Sequence, residues 1–157
     1  MSLLNKVDKL HNAKPWLGEI PLTSRYSAGI AGEKFFSTIR DEGRFLGTRC
    51  PKCELIYVPA TMFCERCFTE LEEWVDVASK GTLFTFTVLY KDLDEKPLEE
   101  PLILAYIKLN GSDGGLIHYV SGVDLDDLYI GMEVEAVFKD KKERKGSILD
   151  VVYFKPT

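Results

Sequence analysis

The sequence predicts a mainly β protein, with N-terminal helices ahead of a cysteine ribbon and a small five-stranded barrel. Three observations carry this. All four cysteines lie in one stretch, "CPKCELIYVPATMFCERC", as two C-x-x-C pairs with ten residues between them. Beyond residue 80 the apolar residues recur with a period of two, through short segments divided by glycines and charged turns. Before residue 43 the period is that of a helix.

Size and charge narrow the class. A chain of 157 residues builds one medium domain or two small ones. Its hydrophobic fraction of 45% excludes global disorder. The formal charge of −5 argues against nucleic acid as the main partner, because such binders are usually basic. No apolar run approaches the roughly 18 residues of a membrane span. The start, "MSLLNKVDKLHNAKPWLGE", has no continuous apolar core of a secretory signal. The expected compartment is the cytoplasm, where thiols stay reduced.

The first 43 residues read as a helical arm. A short helix is expected around Leu3 to Ala13, then an extended segment broken by Pro15 and Pro21. Trp16 and Tyr26 in that segment either anchor the arm or meet a partner. A second helix is expected from Ala28 to Glu42, with Ile30, Phe35 and Ile39 on one stripe and Phe36 beside them. Gly43 is its natural stop.

Residues 44–79 form the ribbon. Arg44 to Arg49 leads into the first cysteine pair as a strand. Two disulfides fit badly in a reducing compartment. A redox C-x-x-C needs one motif at a helix start, not two. A metal site explains both pairs: each C-x-x-C turns two thiolates toward one point, and two such knuckles complete a tetrahedron. Cys50, Cys53, Cys64 and Cys67 are therefore the expected ligands of one Zn²⁺. Spacing alone would also suit a single iron, but nothing else suggests electron transfer. Four protein thiolates leave no open position, so the metal is expected to hold the fold.

Residues 80–157 form the barrel. In "GTLFTFTVLY", Phe84, Phe86 and Val88 alternate with Thr85 and Thr87, and the three apolar residues are expected to face inward. Four more strands are expected in "LILAYIKL", "GLIHYVSG", "MEVEAVF" and "SILDVVYF", with a charged hairpin tip at "KDKKERKG". Five short strands in a segment of this size fit an OB-fold.

The order of these parts resembles a known family. "YSAGIAGEKFF", "GRFLGTRCPKC", "YVPATMFCERC", "LEEWVDVASKGTLFTFTV" and "IGMEVEAVF" are similar to small proteins that join a rubredoxin-like zinc ribbon to an acyl-CoA-associated OB-fold, long filed as a domain of unknown function. The resemblance runs from about Arg25 to Phe154. The chain departs from such ribbons after each second knuckle cysteine, where the frequent Gly is Glu54 and Phe68, and at a frequent double Pro, here Pro59 followed by Ala60.

The resemblance implies an accessory role in CoA-thioester metabolism. It implies a scaffold that assembles with a thiolase-like enzyme, or with a hydratase or aldolase acting on acyl-CoA, and that helps to bind the CoA moiety. The phosphates of CoA call for cations, and Arg25, Lys34 and Lys80 are the candidates. Tyr26, Phe35 and Phe36 are the candidate partner contacts: the two phenylalanines point in different directions around a helix, so one can fill the core while the other meets a second surface.

The residues themselves offer no catalytic set. His11 and His118 are the only histidines, and His118 reads as a structural residue of a strand. There is no G-x-S-x-G, P-loop or G-x-G-x-x-G pattern. The carboxylates of "DLDEKPLEE" and "DLDD" read as solvated loops. A second function class is a single-stranded nucleic-acid module, since ribbons and OB-folds both serve that role. It requires cations interleaved with exposed aromatics, and the one dense basic run is the hairpin tip.

Overall fold

The computed structural model describes residues 27–92 and 94–157. The expected helix at Leu3 to Ala13, with His11, Trp16, Arg25 and Tyr26, lies outside the described residues.

Helix α1 (Gly29–Glu42) buries Ala31, Phe35, Thr38 and Ile39 along one face. Ile30 does not belong to that stripe; it is 69% exposed. The reason is angular. At about 100° per residue, Ile30 stands about 140° away from Phe35, whereas Ala31 lies one turn above it. Gly43 ends the helix at φ 68, and its N–H bonds to the carbonyls of Thr38 and Ile39.

Strands β1 (Phe45–Arg49), β2 (Ile56–Tyr57) and β3 (Glu73–Val77) make an antiparallel sheet in the order β2-β1-β3. Gly47 sits at its centre. A Cβ there would meet the Tyr57 carbonyl oxygen at 2.7 Å and Val77 Cγ2 at 2.9 Å, so the close approach of β2 and β3 requires glycine.

Strands β4 (Lys80–Lys91), β5 (Pro97–Leu109), β6 (Gly115–Val120), β7 (Glu133–Phe138) and β8 (Val151–Pro156) close a barrel in the order β4-β5-β6-β8-β7. β6 and β8 are parallel neighbours at Val120 and Phe154, and β7 returns antiparallel to β4. The five-stranded Greek-key barrel is an OB-fold.

The expected register of the first barrel strand is corrected at one residue. Leu83 is buried, and Phe84 is 60% exposed. The pairing moves from Leu83↔Ile107 to Thr85↔Tyr106, which leaves Phe84 as a bulge. One extra residue flips the alternation. Beyond it, Phe86 packs against the core while Thr85 and Thr87 are exposed.

The last strand also starts later than expected. Ser147 caps a 3-10 turn, Ile148–Asp150, before β8 begins. The buried Asp150 carboxylate accepts hydrogen bonds from the backbone N–H groups of Lys145, Gly146 and Ser147, at 2.9, 2.7 and 3.1 Å to Oδ2. The basic tip is therefore tied to the barrel.

One core joins helix, ribbon and barrel. Phe45 of β1 stacks on Phe35 of α1 and on Phe154 of β8, at 6.3 Å between ring centroids in each case. A second tie sits beside β2. Asp113, in the turn between β5 and β6, accepts a hydrogen bond from Ile56 N at 2.9 Å and donates its own N–H to the Ile56 carbonyl at 2.9 Å. The ribbon is thus seated on the β5–β6 end of the barrel. Among the described residues, no helix is long and apolar enough to cross a membrane.

Candidate metal centre

The two knuckles are built alike. In the first, Glu54 N–H bonds to the Cys50 carbonyl and Cys50 N–H to the Leu55 carbonyl, both at 2.8 Å. In the second, Phe68 N–H bonds to the Cys64 carbonyl and Cys64 N–H to the Thr69 carbonyl, both at 2.9 Å. Each turn closes with a left-handed residue, Glu54 at φ 59 and Phe68 at φ 57. The glycines frequent at these positions in similar ribbons are absent, yet the backbone adopts the conformation that favours glycine.

The turns converge their thiols. The four Sγ atoms lie within 4.8 Å of one another, and Cys50 and Cys64 are fully buried with Leu71 beneath them. Four sulfurs at about 2.3 Å from a zinc ion stand roughly 3.8 Å apart. Cys50 Sγ and Cys67 Sγ, 3.6 Å apart, are already near that spacing. The donor set fits a tetrahedral four-sulfur centre with no position left for water or substrate.

Neighbours bias two of the sulfurs, Cys64 and Cys67, toward the thiolate that a metal needs. Tyr57 Oη lies 3.2 Å from Cys64 Sγ, and this hydroxyl above all holds Cys64 down at about 6. Thr69 Oγ1, 3.3 Å from Cys67 Sγ, lowers Cys67 as well. Cys53 is pushed up to about 12 by its hydrogen bond to Cys67 and by burial. Four thiolates this close need a cation among them, so metal binding must displace protons. Tyr57 and Thr69 were not singled out in the sequence. Their only signal was position, one inside the spacer and the other two residues past the last cysteine.

The other candidate residues are dispersed. Lys34 Nζ sits 3.9 Å from the centroid of the Trp74 ring. Lys80 Nζ pairs with Glu135 Oε2 at 3.9 Å. The two lysines share no partner. Phe35 fills the chain's own core rather than a partner surface, and Phe36 is half-buried edge-to-face against it at 5.3 Å. Arg25 and Tyr26 lie outside the described residues. His118 faces the barrel interior, with Nε2 3.4 Å from the Ile148 carbonyl and Nδ1 without a partner among the described residues. Burial lowers its pKa, so it sits there neutral.

The comparisons with known proteins meet this geometry directly. Residues 38–72 match the model of the ChsH2 rubredoxin-like zinc ribbon domain, and residues 74–139 match that of the ChsH2 C-terminal OB-fold domain. A DUF35 domain-containing scaffold protein of Methanocaldococcus jannaschii is 31% identical over 107 residues, covering 67% of this chain and 74% of the relative. This chain belongs to the ChsH2-like DUF35 family.

The family's ribbon is a zinc ribbon, and the cofactor of this DUF35 chain is one structural Zn²⁺ held by the cysteine cluster. Solved structures agree on the architecture. A DUF35 protein of unknown function from Sulfolobus solfataricus superposes with a TM-score of 0.64 at 26% identity, over 82% of this chain and 87% of that one. The Ltp2-ChsH2(DUF35) aldolase superposes with a TM-score of 0.60 at 19% identity, over 84% and 98% of the two chains, and shares the fold.

Proposed function

We infer that this DUF35 chain is a non-catalytic accessory subunit in the cytoplasm, which scaffolds a thiolase-like or other enzyme acting on acyl-CoA. The observation that carries the reading is the closed centre. Four sulfurs saturate the metal, so it holds the two knuckles of the ribbon together and offers substrate nothing. The 31% identical relative bears the name of a scaffold protein, and the fold recurs in the Ltp2-ChsH2(DUF35) aldolase.

The docking element in this reading is α1. Its buried face is committed to the core, while Ile30 is exposed at the start of the helix, with the exposed small residues Ala28 and Gly29 before it. Tyr26 and the half-buried Phe36 are the other candidate contacts of the same partner. Arg25, Lys34 and Lys80 supply charge to the phosphates of CoA; Lys34 is held over Trp74, which fixes its ammonium group at the ribbon. A nucleic-acid module would need cations interleaved with exposed aromatics, and on the β4–β6 face Phe84, Tyr106 and Tyr119 have only uncharged outward residues between them, with Arg66 and Lys91 at the edges.

The test is purification of the chain from its native host with whatever accompanies it. The reading requires an enzyme of CoA thioesters in stoichiometric amount, lost when Ile30→Glu is introduced. Co-purification of nucleic acid, or a complex indifferent to Ile30→Glu, would contradict it. Arg25→Ala, Lys34→Ala and Lys80→Ala should each weaken CoA binding by the assembled complex.

A further inference from the structure

The outer face of the barrel has no role in the metal centre or in α1. On β4, β5 and β6, register sets Thr85 beside Tyr106 and Ile117, and Thr87 beside Leu104 and Tyr119. Leu102 extends the row, and the bulged Phe84 folds its ring edge-on to Tyr106 at 5.9 Å. Phe84, Leu102, Ile117 and Tyr119 are all exposed. A chain with 29% charged residues places no charge on these outward positions. Charge depletion at the centre of a contiguous apolar patch is the mark of an interface core.

Both ends of the patch are charged: β5 carries opposite signs at its two ends, and on β4 and β7 Lys91 at one end and Glu133 at the other carry the reverse sign beside each. Glu99 and Glu100 lie at one end of β5 and Lys108 at the other, all exposed. None forms an ion pair among the described residues. Glu100 stands four residues before Leu104 and Lys108 four residues after it.

We propose that this face pairs with the same face of a second copy, across a twofold axis that runs between the sheets and crosses the strands at Leu104. Such an axis lays β5 antiparallel on its mate, sets the Glu99–Glu100 end of each copy over Lys108 of the other, and leaves uncharged side chains between. An axis along the strands would instead stack glutamate on glutamate. A second copy meets the requirement by symmetry, with a charge-free centre and matched ends. The proposal stands apart from the accessory-subunit reading.

The test is the mass of the zinc-loaded full chain by sedimentation equilibrium over a concentration series, with circular dichroism and metal content to confirm folding. The wild type is expected to dimerise. Ile117→Glu, at a position 66% exposed and so outside the core, should weaken the dimer about tenfold or more. Lys108→Glu should weaken it about fivefold, and Lys108→Glu combined with Glu99→Lys and Glu100→Lys should restore it. A wild type that is monomeric throughout overturns the proposal, whether the face then proves to be covered by an enzyme partner or by the chain's own first residues. A dimer unmoved by Ile117→Glu overturns it too, and a triple variant no better than Lys108→Glu overturns the axis.

Discussion

The Tyr57 hydroxyl and Cys64 Sγ lie 3.2 Å apart, which ties strand β2 directly to the second knuckle. A donor on a metal-bound thiolate stabilises its charge and its orientation. Tyr57→Phe should leave the fold intact and lower zinc affinity about tenfold, read by competition with a chelator. Because metal displaces protons from the thiols, retention should fall as pH falls, and earlier in the variant. Equal affinities would leave the hydrogen bond without a part in the centre.

The knuckles carry a second consequence. Phe68 is 80% exposed, at a φ of 57 that its Cβ resists. Phe68→Gly removes the resistance and little packing, and should raise stability by about 1 kcal/mol. Phe68→Ala keeps a Cβ and should bring no gain. Thermal melts of the zinc-loaded chains decide this; a Phe68→Gly chain that melts below wild type would mean that the ring is engaged.

Leu83 and Phe84 are adjacent and opposite in fate. Leu83→Ala should cost about 2–5 kcal/mol as a core truncation. Phe84→Ala should cost less than about 1 kcal/mol in the folding of a single chain. Urea denaturation that ranked them the other way would refute the bulge.

Burial opposes the charge of Asp150, yet the N–H groups of Lys145, Ser147 and Gly146 hold its carboxyl below the ordinary value. A depressed folded pKa stabilises above the unfolded value of about 3.9 and loses that stabilisation as pH falls through the folded value. Asp150→Asn should therefore cost about 2 kcal/mol at pH 7. The gap between the two chains should narrow as pH drops below about 4. Both carry the same metal centre, so the gap reports Asp150; a gap that widens in acid would contradict the assignment.

What the sequence disclosed was whatever spacing encodes. Two C-x-x-C pairs name the ligands of a tetrahedral centre because a knuckle is a local structure. Five alternating segments name a barrel because each strand's pattern is its own. The misreadings came where one residue changes phase. Nothing in "TLFTF" says which residue bulges, since that depends on how β5 pairs. Ile30 was placed on the buried stripe because it is apolar, while the small Ala31 takes the position that geometry requires. Tyr57 and Thr69 were missed because hydrogen bonds to sulfur leave no periodic trace. The Asp150 loop was read as a bare hairpin tip, because a carboxylate that gathers backbone N–H groups looks like any other acid in a sequence.

The most direct test of a closed, structural centre is X-ray absorption at the zinc edge on the reduced, folded full chain, with the metal counted in the same sample. The account predicts one zinc per chain surrounded by four sulfurs at about 2.3 Å and by no nitrogen or oxygen. A folded chain without stoichiometric metal, or a zinc with an oxygen ligand in its coordination shell, would contradict it.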